Sequence, residues 1–209
     1  MGTKRVGLAR TQALLENLKR EVNLSTSTTL KGMNLSVAAT TGAAGAGLTG
    51  DSSTSPQVFV QTIGGEIVTT VLLDLDGLVK ESTVGDVIGA DSSAAAYLFR
   101  YVEATHGVPY KLEMSCIVLP TGTNPLKDFD IIAADEAALS QDDSASGATN
   151  AVSLFAAAGN FAKGQTIQSL AVVPATNQYV YLAEGATSTN KQTFTAGKLV
   201  IKMYGRASF

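Results

Sequence analysis

VPYKLEMSCIV, residues 108–118, is the stretch whose pattern decides the fold class. Val108, Tyr110, Leu112, Met114, Cys116 and Val118 alternate with Lys111, Glu113 and Ser115. Apolar side chains at a period of two, with polar ones between, mark a half-buried antiparallel strand. His106-Gly107 stands just before it, and a two-residue loop with glycine second suits the primed turn of a hairpin. The stretch is therefore expected to pair with YLFRYVEAT (97–105) across that turn. KLVIKMYG (198–205) repeats the logic, with Leu199, Ile201 and Met203 on one face and Val200, Lys202 and Tyr204 on the other.

Outward from these, strands are expected at QVFVQTI (57–63), EIVTTVLLDL (66–75), FDIIAA (129–134), TIQSLAVV (166–173) and QYVYLAE (178–184). Short strands at roughly ten-residue spacing, with little helical pattern between them, indicate an all-β fold, an antiparallel β-sandwich or barrel. Jelly-roll, immunoglobulin-like and other Greek-key sandwiches share that spacing. DSSAAAYLFRYVEATHG (91–107) also admits a helix capped by Asp91 or Ser92, but its aromatic and β-branched content favours a strand from Tyr97. AADEAALSQ (133–141) has room for one or two helical turns, and DDSASGATN (142–150) reads as a loop.

Composition sets the limits. Ala, Gly, Ser and Thr fill 89 of the 209 positions, and charged residues make up only 16%. Ordinary soluble domains carry about 25% charged residues, so this composition suits a surface that packs on other protein. A hydrophobic share of 45% is enough for a packed core and argues against a disordered chain. Cys116 is the only cysteine and His106 the only histidine, which excludes an internal disulfide framework and sites built on several such ligands. Apolar runs of four or five residues fall far short of the roughly 20 that span a bilayer, and no signal-peptide pattern follows Lys4 and Arg5. Synthesis in a cytoplasm, with no membrane partner, is the expectation.

The net charge of −3 conceals an asymmetry: residues 1–31 carry +4 and the remainder −7. Within that basic leader Leu8, Leu15, Leu18 and Val22 fall on one helical face with Leu14 beside them, while Arg10, Glu16, Lys19 and Arg20 point elsewhere. Glu16 and Arg20 stand four apart in the favourable order. The expected organisation is a basic amphipathic helical arm (1–31), a Gly/Ala/Ser/Thr-rich linker or loop (32–56) and a β-sandwich domain (57–209). A short strand at MNLSVAAT (33–40) interrupts the linker, and GAAGAGLTGDSSTSP (42–56) reads as exposed. Lys4, Arg5, Leu8, Arg10, Leu15, Leu18, Lys19, Arg20 and Val22 are the candidate partner-contact residues. The arm has no aromatic residue for base stacking and no dense cationic run, which argues against nucleic acid and for the acidic face of a partner protein.

Motifs that resemble chemistry fail on context. Gly45-x-Gly47-x-x-Gly50 matches the dinucleotide string, but DSSTSP follows where a helix must begin. Gly159 and Gly164 have phosphate-loop spacing, yet Gln165 stands where the lysine belongs. Gly50-Asp51-Ser52 evokes an esterase nucleophile, but no histidine follows His106, which is expected at a hairpin tip. Asp74 with Asp76, and Asp128 with Asp130, each flank one residue, and read as solvated strand ends rather than a calcium or acid/base pair. Asp142 and Asp143 read as loop charges. Cys116, Tyr179, Tyr181 and Phe194 read as core or sheet-face residues. No catalytic residue, no cofactor and no metal are expected, and the reading is of a non-enzymatic protein.

VGLARTQALLENLKRE (6–21), VGDVIGADSSAAAYLFRYVEATHGVPYKLEMSCIVLP (84–120) and YVYLAEGATSTNKQTFTAGKLVIKMYG (179–205) resemble segments of small virion structural proteins of marine tailed bacteriophages. The shared features are an arm helix, an NGxxYKxExxCIE-like hairpin strand and a final YxAGKxVIRxYG-like strand. His106-Gly107 stands where Asn-Gly is usual, Ile117-Val118 where Ile-Glu is, and the acidic stretch 124–150 has no counterpart. The resemblance implies a capsid decoration (cement) protein of β-sandwich or jelly-roll type. It would be a homo-oligomer, most often a trimer, bound to the major capsid protein on the capsid exterior. A tail, neck or fibre component and a glycan-binding sandwich on the virion surface are the alternatives.

Overall fold

The computed structural model describes residues 40–50, 56–123, 127–156, 159–169, 172–186 and 190–207. Twelve strands run through them: β1 (Thr40–Gly42), β2 (Gln57–Ile63), β3 (Glu66–Asp74), β4 (Val79–Lys80), β5 (Tyr97–Arg100), β6 (Val108–Thr121), β7 (Phe129–Ala134), β8 (Val152–Ala156), β9 (Thr166–Ser169), β10 (Tyr179–Glu184), β11 (Gln192–Thr193) and β12 (Ala196–Arg206). The described residues form an all-β, antiparallel body, as their alternation predicts. Each of the eight runs expected from residue 57 onward contains a strand, and β4, β8 and β11 are additions; β1 starts at Thr40, the last residue of the strand expected at 33–40, whose other residues lie outside those described. The expected arm, 1–31, lies outside the described residues. No helix among the described residues is long and apolar enough to cross a membrane.

The strands form a six-stranded sheet in the order β1-β2-β3-β12-β6-β9, a four-stranded sheet β5-β10-β7-β8, and the small pair β11-β4. Five of the pairings are nested: β3 with β12, β4 with β11, β5 with β10, β6 with β9 and β7 with β8. The chain from residue 66 to 206 is thus one long hairpin folded over on itself, whose outermost partners are Glu66 and Arg206. Val58, Val71, Leu73, Met114, Cys116, Leu199, Ile201 and Met203 of the larger sheet share one hydrophobic cluster with Leu98, Ile131, Phe155, Val180 and Leu182 of the smaller. Burial of apolar side chains from two sheet faces against each other supplies the main stabilising term. β7 sits inside the smaller sheet, so part of the acidic stretch 124–150 belongs to the core.

One expected pairing is overturned. Residues 97–100 and 108–121 do not form a hairpin; they lie in different sheets. Residues Glu103–His106 make one helical turn instead, which carries the chain from the smaller sheet to the larger. The amide of Gly107 closes that turn on the Glu103 carbonyl at 2.8 Å, while the amide of Tyr101 stays with the Gln178 carbonyl at 2.8 Å. Local turn chemistry lost to the tertiary pairing of β5 with β10. His106 is accordingly no exposed tip: it is 5% accessible, its ring centroid lies 5.2 Å from that of Phe99, and its Nδ1 accepts the Val102 amide at 3.0 Å.

The stretch 42–50, expected as exposed linker, is in part built into the body. Leu48 is fully buried, and the amides of Gly45 and Gly47 donate to the carbonyls of Tyr97 and Ala95, each at 2.8 Å. A side-chain carbon on Gly45 would fall 2.1 Å from the Ala95 carbonyl oxygen, and one on Gly47 2.2 Å from that of Ala94. The GxGxxG string therefore records backbone packed on backbone, and no nucleotide is involved in that requirement.

Candidate interaction face

The outward face of the six-stranded sheet gathers the most unusual surface chemistry. Its rungs follow from the strand registers: Ile63-Glu66-Arg206-Val108, Gln61-Val68-Tyr204-Lys111, Phe59-Thr70-Lys202-Glu113-Gln168, Gln57-Leu72-Val200-Ser115-Thr166, and Asp74-Lys198-Val118. Two of the largest exposed side chains on this face arrive there through bulges in β6. Tyr110 is the extra residue between the pairs Tyr204/Lys111 and Gly205/Pro109, and Ile117 the extra one between Lys198/Val118 and Leu199/Cys116. A bulge breaks the alternation and re-aims the side chain it carries. Tyr110 is 44% exposed and Ile117 49%, with Ile63, Leu72 and Val108 also exposed on the same sheet.

This corrects the alternation expected for 108–118. Leu112, Met114 and Cys116 do face the core, but Val108 and Tyr110 face solvent and Val118 is half-buried. Pro109 and Pro120 were the available signal, since proline within a sheet is confined to edges, strand starts and bulges.

At one end of the face, polar groups are already satisfied by one another. The Tyr204 hydroxyl donates to Glu113 Oε2 at 2.6 Å, Gln168 Nε2 donates to Glu113 Oε1 at 2.6 Å, and Lys111 lies 3.1 Å from the same carboxylate. The Tyr204 bond first, opposed by burial and then aided by Lys111, holds the Glu113 carboxyl below its ordinary range. Tyr204 itself is pushed up to about 12, by burial first and then by Glu113. Lys111 Nζ sits 3.8 Å over the Tyr204 ring, and the Arg206 guanidinium 5.2 Å from that of Tyr110, whose hydroxyl donates to Glu66. A cation thus caps one side of the exposed Tyr110 ring and of the half-buried Tyr204 ring, where a sugar platform would keep them open.

At the other end, Leu72, Ile117 and Val200 line a shallow apolar groove of about 260 Å³, bounded by the Asp74–Lys198 ion pair at 3.0 Å. Lys111, Lys198, Lys202 and Arg206 slightly outnumber Glu66, Asp74 and Glu113, so the acidic surplus of the body falls elsewhere. A nearly neutral sheet face with exposed aliphatic and aromatic side chains suits protein–protein contact.

The other positions singled out in the sequence are placed as follows. Asp74 pairs with Lys198 and accepts the Asp76 amide at 3.2 Å. Asp128 is not solvated: it is 1% exposed and packs against Gly185. Asp143 accepts the amide and hydroxyl of Ser140 at 2.7 and 2.8 Å, closing a turn in its loop. Gln165 caps its own turn by accepting the Ala162 amide at 2.8 Å, and a strand follows rather than a helix. Cys116 is buried, and burial pushes its thiol up. Tyr181 and Phe194 are core residues and Tyr179 is half-buried. Among the described residues no group of three or more His, Cys, Asp or Glu could hold a metal ion. Lys4, Arg5, Leu8, Arg10, Leu15, Leu18, Lys19, Arg20 and Val22 lie outside the described residues. No family model, no curated protein and no solved structure matches this chain.

Proposed function

We propose that the protein is a bacteriophage virion structural protein of the capsid-decoration (cement) kind. It would act without catalysis, binding the outer surface of the major capsid protein as a homo-oligomer, with a trimer the first form to look for. The observation that carries this reading is the outward sheet face, where two bulges present Tyr110 and Ile117 beside Leu72, Ile63 and Val108 on a broad, nearly neutral surface. Many such contacts, each weak, become strong when shell symmetry raises their effective concentration. The cationic leader would add steering toward an acidic shell and a salt-sensitive part of binding.

The strand order supports a jelly-roll reading of the body. β3-β12-β6-β9 against β5-β10-β7-β8, with first and last strands paired and each inner pair nested within the next, is what two interleaved Greek keys would give, and it supports that reading. Virus capsid domains are among the users of that architecture. β1 and β2 extend one edge of it.

Reconstitution tests the proposal. Purified protein is added to undecorated capsids of the phage that encodes it and located by electron cryomicroscopy. The wild-type chain should occupy the shell exterior at symmetric positions. A variant with Leu72→Asp and Ile117→Asp, equally folded, should lose at least about tenfold in occupancy, the effect of removing central apolar contacts. Bare shells at saturating protein, or density confined to the tail, would overturn it.

A further inference from the structure

Where the two sheets part, on the side of β5 and β1, the body opens a groove of about 560 Å³. Val60, Tyr97, Phe99, Val102 and Tyr179 form its apolar walls, and Gly42 and Ala43 lie along its rim. Arg100 stands at the mouth, its Nη2 donating to Asn177 Oδ1 at 2.9 Å and its guanidinium 5.7 Å from the Tyr179 ring. Among the described residues no carboxylate pairs with Arg100. Volume and lining suit several aliphatic side chains held together, with one polar group to orient them.

We infer that this groove seats the apolar stripe of the chain's own residues 6–22, which places Leu8, Leu15, Leu18 and Val22 against its walls. Three observations converge on that occupant. The leader is the one segment whose sequence writes an apolar face at helical spacing, and such a face is stable only when covered. The described body begins at Thr40, and strand β1 delivers the chain to Gly42 and Ala43 on the groove's own rim. The intervening residues 23–39 reach up to about 56 Å when extended at roughly 3.3 Å each, ample to bring the stripe back. Docked this way, the leader keeps Arg10 and Arg20 outward, and Glu16 or Glu21 on its flanks can answer Arg100. The inference does not depend on the virion reading.

Photo-crosslinking of the full-length chain tests it. p-Benzoylphenylalanine placed at exposed Thr105, at the groove, should crosslink to tryptic peptides from residues 6–22 at monomer mass, and crosslinks only between two copies would count against it. Crosslinks that map elsewhere, or none, would overturn the assignment. Limited trypsin digestion supplies a second reading. Ala43→Trp fills the groove from its exposed rim and should speed cleavage after Arg10, Lys19 and Arg20 at least about tenfold, as expected when a docked segment is released. Val84→Trp, on an exposed loop, should leave the cleavage rate unchanged. An Ala43→Trp chain that keeps its circular dichroism and is cut at the wild-type rate would also overturn the inference.

Discussion

A side-chain carbon on Gly107 would lie 2.6 Å from the carbonyl oxygen of Arg206. The two meet where the sheet-crossing turn delivers the chain to β6, beside the end of β12, and Gly107 holds φ at +69° there. Gly107→Ala combines a left-handed backbone penalty with a clash against backbone. We expect a loss of about 3 kcal/mol, read as a lowered urea midpoint. A loss below about 1 kcal/mol would show that the end of β12 yields freely.

His106 should write a pH dependence into stability. Burial holds its imidazole below the ordinary 6.5, against a smaller opposing effect of the Val102 carbonyl, which lies 3.0 Å from Nδ1. The unfolded chain therefore takes up the proton more readily than the folded one. Stability from this residue is complete above about pH 6.5 and drains as pH falls through that value toward the folded one. His106→Gln should lower stability at about pH 8 and flatten the curve between about pH 7 and 5. Parallel curves for the two chains would assign the effect to other groups.

Tyr204 and Glu113 form a coupled pair across β12 and β6, the hydroxyl donating at 2.6 Å. The carboxyl is held low, so its contribution is present above the ordinary carboxylate value and lost as pH falls through the folded one. Tyr204→Phe should raise the Glu113 titration, followed by carboxyl-carbon NMR, and cost about 1 kcal/mol at neutral pH. An unmoved titration would leave Lys111 as the group that holds the carboxylate.

The nested pairings should make folding slow. The β3–β12 ladder joins segments far apart in sequence, with Glu66 paired to Arg206. Loop closure must precede reward, so refolding is expected on the order of 1 s. A full-amplitude millisecond phase in stopped-flow fluorescence would contradict that.

Much of the fold was legible because a half-buried strand writes its period of two into the chain. QVFVQTI and FDIIAA are strands over their whole expected length, and Leu199, Ile201 and Met203 face the core. Partnership was less legible. His106-Gly107 has hairpin chemistry, yet the distant Gln178 carbonyl holds Tyr101 in the other sheet. Gly45 and Gly47 have the composition of a linker, whereas their lack of a side chain lets this segment press against residues 94–97. The outward face of the larger sheet was hidden for a related reason. Simple alternation puts Tyr110 with Leu112, and only the bulge, flagged by Pro109, turns it outward.

The pairing of Glu66 with Arg206 also places Gly64 and Gly65, the open tip joining β2 to β3, at the corner where β12 runs out. Side chains added at either glycine would meet no neighbouring atom. A reporter spliced into that tip and a second fused past Arg206 would therefore ride side by side, making this corner a natural mount for engineered cargo.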